Sequence, residues 1–233
     1  MNTIRSLLFV LWLYLSMAIF AVGLSPALLL PHRYPMGVIR LWSRFIIFGL
    51  RWIVGARVEF RGLEHRPTGA ALIAAKHQGM LDVIVPFAML DNPCLVMKKE
   101  LAGLPFFGWF ALKTGMIVVD REAHAKALKA MLRAARVRLG EQRQIFIFPE
   151  GTRGAIGAAP DYKPGVAALY RDLDVACTPM ATNSGVCWPA HGFRRHPGVV
   201  VFEFLPPIPA GLKRGEFMAA LEDRIETASR ALL

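Results

Sequence analysis

From Leu7 to Leu30 the chain carries no charged residue, and this run restricts the fold more than any other stretch of the sequence. Helical throughout, it would span roughly 30 Å of hydrocarbon. Its apolar surface has to leave water, either against protein or in a bilayer. Pro26 predicts that the helix kinks or ends early, because proline lacks the N–H that would continue it. Arg5 before the run and the small residues Ala21-Val22-Gly23 also fit a cleaved signal peptide. The apolar stretch continues past that point and no disulfide-rich domain follows, which favours a retained anchor. Farther on, Val38 to Gly55 mixes Leu41, Trp42, Phe45, Phe48 and Trp52 with Arg40, Arg44 and Arg51. At about 100° per residue the three arginines share a narrow sector, the pattern of a helix lying among anionic headgroups. A second helix packed on the first, with its arginines simply solvated, fits the same pattern.

The formal charge of +11 and the pI near 10.1 suit either nucleic acid or an anionic bilayer. No aromatic-basic RNA motif and no zinc-ligand spacing is present, so nucleic acid is disfavoured. A bilayer accounts for the charge together with the 55% hydrophobic content. Cys94, Cys177 and Cys187 are too few and too scattered for a disulfide framework or a metal cluster; they predict reduced thiols in a cytosol-facing domain. Beyond the apolar segments, strand-like runs near 57–61, 71–75, 95–97, 115–119, 144–148, 175–180 and 199–205 alternate with helical stretches, which predicts one α/β domain. A helix over Glu122–Leu139 should carry one packed face and one basic face (Lys126, Lys129, Arg133, Arg136) and end at Gly140. A last amphipathic helix is expected from about Gly215 to Leu233.

His77 and Asp82 lie five positions apart, directly after the buried-strand pattern Ala71–Ala75. On a continuous helix such residues point roughly 140° apart and cannot touch. A turn at His77 followed by a helix over Met80–Leu90 would bring them together, with the carboxylate fixing the tautomer and leaving the other ring nitrogen as a base. An ordinary turn histidine, with Asp82 merely complementing a helix start, fits the same residues. A second cluster, Phe148-Pro149-Glu150-Gly151-Thr152-Arg153-Gly154, follows the run Gln144–Ile147, at what should be a strand's carboxyl end. Open α/β sheets place ligands there, and Arg153 offers a planar fork of donors for a phosphate or carboxylate. A structural Glu-Arg pair is the plainer alternative.

Together these segments resemble the lysophosphatidate acyltransferase family, the 1-acylglycerol-3-phosphate O-acyltransferases. His77-Gln78-Gly79-Met80-Leu81-Asp82 matches the His-X4-Asp motif, Gly115 to Arg121 is similar to the second block, Phe148 to Arg153 matches the third, and Cys177-Thr178-Pro179-Met180 is similar to the fourth, a strand end with proline. Lys76 departs from the asparagine often found before the histidine, which alters the hydrogen bonding and electrostatics around it. The resemblance implies a mixed sheet flanked by helices, residues 1–56 as membrane-anchoring helices and 57–233 as the acyltransferase domain, facing the cytoplasm.

It also implies direct acyl transfer without metal or cofactor. His77, oriented by Asp82, deprotonates the sn-2 hydroxyl of lysophosphatidate as it attacks an acyl thioester, carried by CoA or acyl-carrier protein, to form phosphatidate. Arg121 and Arg153 are the expected phosphate ligands, Glu150 and Thr152 belong to the third-block loop, and Lys98 with a backbone amide near Gly151 is the expected oxyanion site. Lys163 reads as a turn lysine. Another lyso-lipid acceptor, such as a lyso-ornithine lipid or lysophosphatidylcholine, and a non-catalytic lipid-binding role are the competing readings. Asn183-Ser184-Gly185 lacks the Gly-X-Ser-X-Gly elbow of a serine esterase.

Overall fold

The computed structural model describes residues 2–105 and 107–233. Helix α1 (Asn2–Gly23) covers much of the uncharged run and stops short of Pro26, which lies at the start of a 3-10 turn, Ser25–Leu29. Proline cannot donate to the helical ladder and disfavours helix at the residue before it, so the expected break falls here. Helix α2 (Arg33–Gly49) begins before Val38 and widens into a π-helical turn, Leu50–Val54. The two helices pack as a hairpin: Trp12 stacks on Phe45 with ring centroids 4.2 Å apart, and the Trp42 indole donates to Ser16 Oγ at 3.2 Å.

One stripe of α1 is buried, formed by Ser6, Phe9, Leu13 and Ser16. Leu7, Leu8, Leu11, Leu15, Ile19 and Val22 remain exposed, an apolar surface of the kind that marks contact with lipid or a partner. Among the described residues, α1 is the one helix long and apolar enough to cross a membrane by length and composition. On α2 and the turn after it, Arg44 and Arg51 are exposed beside Leu41, Phe48 and Trp52. Arg40 departs from the expected solvated sector: it is half-buried, with Nη2 3.5 Å from the Leu90 carbonyl.

Seven strands follow: β1 (Ala56–Arg61), β2 (Ala71–Ala75), β3 (Pro93–Lys98), β4 (Ile117–Val119), β5 (Gln144–Ile147), β6 (Cys177–Thr182) and β7 (Gly198–Phe204). They form one sheet in the order β1-β7-β6-β2-β5-β3-β4, with every neighbouring pair parallel except β6 and β7. Each expected strand is present, and the sheet is mixed. The fourth block corrects one expectation: Pro179 lies within β6, not at its end.

Between the strands lie α3 (Leu81–Ile84), α4 (Pro86–Met89), α5 (Lys99–Ala102), α6 (Phe107–Lys113), α7 (His124–Gly140), α8 (Gly165–Leu173) and α9 (Ser184–Cys187), with α10 (Arg214–Ala231) last. The single helix expected over Met80–Leu90 is instead the pair α3 and α4. Val85 keeps helical angles (φ −59°, ψ −37°), but Pro86 has no N–H and interrupts the ladder. Helix α7 buries Ala127, Met131 and Ala135 on one side, as its spacing predicts.

The sheet is buried on both faces, and the alternation along each strand sorts its side chains between two cores. Ile73, Ala75, Phe146 and Phe148 join Phe9, Leu13, Ile46 and Leu50 of the N-terminal helices and their π turn, with Trp188. Leu72, Ala74, Ile145 and Ile147 face the opposite way, against Met131 and Ala135 of α7, Leu169 of α8 and Phe217 and Leu221 of α10. The first two helices are thus one wall of the sheet's packing.

Candidate active site

The parallel strands β2, β5, β3 and β4 all end on the same side of the sheet, and the residues singled out from the sequence follow those ends. His77 and Asp82 come after β2, Glu150 to Arg153 after β5, Lys98 closes β3, and Arg121 comes two residues beyond β4. This is the edge at which open α/β sheets expose loops to ligands.

The turn after β2 does what the five-residue spacing requires. His77 Nδ1 lies 3.0 Å from Asp82 Oδ2, and the same oxygen accepts the backbone N–H groups of Gln78 (2.6 Å) and Gly79 (2.8 Å). Asp82 is fully buried. Two amide donors and a ring nitrogen converge on one accepting oxygen, so Nδ1 is the donor of the pair and Nε2 is the nitrogen left for proton transfer. The imidazole is held flat against Phe148, with ring centroids 4.0 Å apart and planes 19° from parallel. Gly79 permits the turn's close approach to the strand β6 side of the fold, because a β-carbon there would fall 2.4 Å from the Trp188 carbonyl oxygen.

The third-block loop is tied to this turn at two points. Glu150 Oε2 accepts the His77 backbone N–H at 3.0 Å, and the Gly154 N–H donates to the His77 carbonyl at 2.8 Å. Gly151 has φ +66°, a left-handed turn that suits glycine. Its amide donates to the Phe148 carbonyl at 3.0 Å, and its carbonyl accepts from the Arg121 guanidinium, which joins the second and third blocks. Thr152 and Arg153 are exposed on the loop. Of the adjacent lysines, Lys99 pairs with Asp120 at 2.8 Å, while Lys98 is exposed at the strand end.

Three residues escaped the sequence reading. Gln78 is buried and accepts the Gly185 N–H through Oε1 at 3.0 Å. Glu226 of α10 meets Lys76: Lys76 Nζ lies 2.5 Å from Glu150 Oε1 and 2.7 Å from Glu226 Oε1. Burial works against the charge of Lys76, yet the two glutamates outweigh it and raise its pKa, whereas burial pushes the Glu150 carboxyl up against the pull of Lys76. Arg195 is buried with its guanidinium 4.6 Å over the Trp188 ring. Burial holds its pKa down to about 10, with Tyr14 opposing and the charge of Arg153 adding to the effect. Lys76 stood out in the sequence as a departure; Glu226 and Arg195 gave no local signal, since each depends on a contact made across the fold.

A base with a free Nε2, set at a strand edge beside cationic side chains, can take a proton from a hydroxyl of an anionic molecule. A family model described as Acyltransferase matches residues 57–183. The 1-acyl-sn-glycerol-3-phosphate acyltransferase of Pseudomonas aeruginosa is 32% identical over 230 residues, 97% of this chain and 88% of that protein. The human 1-acyl-sn-glycerol-3-phosphate acyltransferase alpha is 28% identical over 185 residues, 78% of this chain and 65% of that protein. The crystal structure of the 1-acyl-sn-glycerophosphate acyltransferase PlsC from Thermotoga maritima superposes with a TM-score of 0.83, covering 100% of this chain and 98% of that one at 20% identity, which establishes the shared fold. By sequence and by fold, the chain belongs to the acyltransferase family, among the 1-acyl-sn-glycerol-3-phosphate acyltransferases.

Proposed function

We propose that this chain transfers a fatty acyl group from an acyl thioester to the sn-2 hydroxyl of lysophosphatidate, giving phosphatidate. The observation that carries the proposal is the His77–Asp82 pair at the strand edge, with Nδ1 committed to the carboxylate and Arg121 and Arg153 on the neighbouring loops. His77 Nε2 takes the hydroxyl proton as the oxygen attacks the thioester carbonyl. The tetrahedral intermediate then collapses: the C–S bond breaks, the new C–O ester bond remains, and the thiolate leaves with the proton returned by the imidazolium. Asp82 stabilises that imidazolium. The Gly151 amide is engaged by the Phe148 carbonyl, and the oxyanion is assigned to Lys98. Offering the purified protein a panel of lysolipids with acyl-CoA and acyl-carrier-protein donors, and identifying products by mass spectrometry, tests the reading. Exclusive acylation of lysophosphatidylcholine or a lyso-ornithine lipid would replace the acceptor, and no acylation of any lysolipid would refute the function.

Phosphate recognition is assigned to Arg153 and Arg121. Replacing Arg153 by Ala should lower kcat/KM for lysophosphatidate by about ten- to a hundredfold, the scale of about 1.5–3 kcal/mol for a hydrogen bond to a charged group. Use of lysophosphatidylcholine should change far less, and Arg153→Lys should rescue only partly, because an ammonium lacks the two-pronged donor geometry. Equal losses on the two lipids at matched acyl length would move Arg153 from acceptor binding to loop support.

We assign membrane attachment to residues 1–56, with the catalytic loops facing the cytoplasm. The outer face of α1 is the contact: Leu11, Leu15 and Ile19 are 60%, 53% and 59% exposed. Burying such side chains in lipid stabilises by about 1.5–3 kcal/mol each. The triple variant Leu11→Gln/Leu15→Gln/Ile19→Gln should therefore lose vesicle binding by about a hundredfold or more. Its far-UV circular dichroism should stay unchanged, since none of the three belongs to the core. Residual binding through Arg44 and Arg51 should fall as salt rises. Vesicle sedimentation reads both effects, and full salt-resistant binding by the variant would place the attachment elsewhere.

A further inference from the structure

We infer that Lys76 and Glu226 are positioning residues for acyl transfer, clamping Glu150 in the orientation that holds the His77 main chain. This rests on the function proposed above. Glu150 uses both oxygens: Oε1 meets Lys76 Nζ at 2.5 Å, and Oε2 takes the His77 N–H at 3.0 Å. Lys76 is shared with Glu226 of α10 at 2.7 Å, and the Tyr162 hydroxyl donates to the same Glu226 oxygen at 3.0 Å. The Lys76, Glu150 and Glu226 side chains are 6%, 8% and 13% exposed, so these contacts are made in a medium of low dielectric.

Two carboxylates on one buried ammonium need that cation to stay in place. Without it, Glu150 is a buried carboxylate with no cation and an unpartnered Oε1, beside Glu226, which lines a cleft of about 690 Å³ with Lys76, Gln78, Glu222 and Arg230. Glu150 would then leave the His77 N–H, and the imidazole would lose one of the two ties that set it against Asp82. Displacements of about 1 Å at a catalytic group cost about a hundredfold in rate. Glu226 reaches the His77 turn from α10, near the far end of the chain.

The test compares kcat and KM, melting temperature, and the rate at which diethyl pyrocarbonate modifies His77, read by peptide mass spectrometry in the full-length protein. Lys76→Met should lower kcat by about a hundredfold with KM for both substrates nearly unchanged, and should speed His77 modification severalfold. Lys76→Arg should recover part of the loss. The double variant Lys76→Met/Glu226→Met, which removes the second carboxylate but leaves Glu150 without its cation, should regain part of the melting temperature without regaining kcat, because Glu150 is still unclamped. A Lys76→Met enzyme with kcat within about threefold of wild type, or a double variant whose activity returns together with its melting temperature, would overturn the inference in favour of plain fold support. Absence of acyl transfer in the wild type would sink the functional reading instead, and the modification rates would still decide the positioning role: equal rates in wild type and Lys76→Met would refute it.

Discussion

Replacing His77 by alanine is expected to lower turnover by about 10²–10⁴-fold, the contribution of a positioned general base. The fold should survive. The side chain is 12% exposed and stacks on Phe148 at the rim of the core, so its removal leaves a small cavity beside the active-site loops without touching the strand pairing. KM for both substrates should move little, because the imidazole acts on the proton in flight and not on the bound phosphate or acyl chain. Steady-state kinetics on protein whose circular dichroism and vesicle binding match wild type gives the answer. Near-wild-type turnover would mean that the hydroxyl loses its proton elsewhere.

Asp82→Asn should be nearly as damaging, by about 10²–10⁴-fold, through lost charge and not through size. The argument comes from the three donors around one oxygen. The Gln78 and Gly79 amides, at 2.6 and 2.8 Å, and His77 Nδ1, at 3.0 Å, all meet Oδ2, so the asparagine oxygen takes that place and keeps the proton on Nδ1. What disappears is the carboxylate charge that stabilises the imidazolium formed in the reaction. The amide NH2 falls at the Oδ1 position, which is buried without a hydrogen-bond partner among the described residues, so the variant should also lose about 1–3 kcal/mol of stability. Steady-state kinetics and thermal melts on the folded variant read the two effects, and full activity would show that the Asp82 charge takes no part in proton transfer.

Much of the framework was legible because strands covered on both faces read as short continuous apolar runs. Ala71–Ala75 and Gln144–Ile147 are of this kind, and both were found at their correct positions. The bend at His77 followed from helical geometry alone. Pro86 is equally visible in the sequence, and its missing N–H interrupts the helix expected over Met80–Leu90. Strand order and the reversal between β6 and β7 were not legible, since neither strand's pattern names its neighbour. The same limit hid Glu226 from Lys76 and Arg195 from Ser6: each pair is brought together by the docking of a helix or loop far along the chain, and a lone Glu on an amphipathic helix looks like any solvated one.

The pairing of β1 with β7 governs how this chain can be made. β1 directly follows the apolar hairpin, yet its sheet neighbour among the described residues is the last strand to be synthesised. At 5–20 residues per second the ribosome needs on the order of ten seconds to deliver it. Throughout that interval Phe9, Leu13, Ile46 and Leu50 have no completed sheet to cover. Such late, non-local closure is slow and exposes the nascent chain to aggregation. Lipid would then act as a holding phase during translation as well as a working surface afterwards, and refolding from denaturant should be far more efficient when vesicles are supplied before the denaturant is diluted than after.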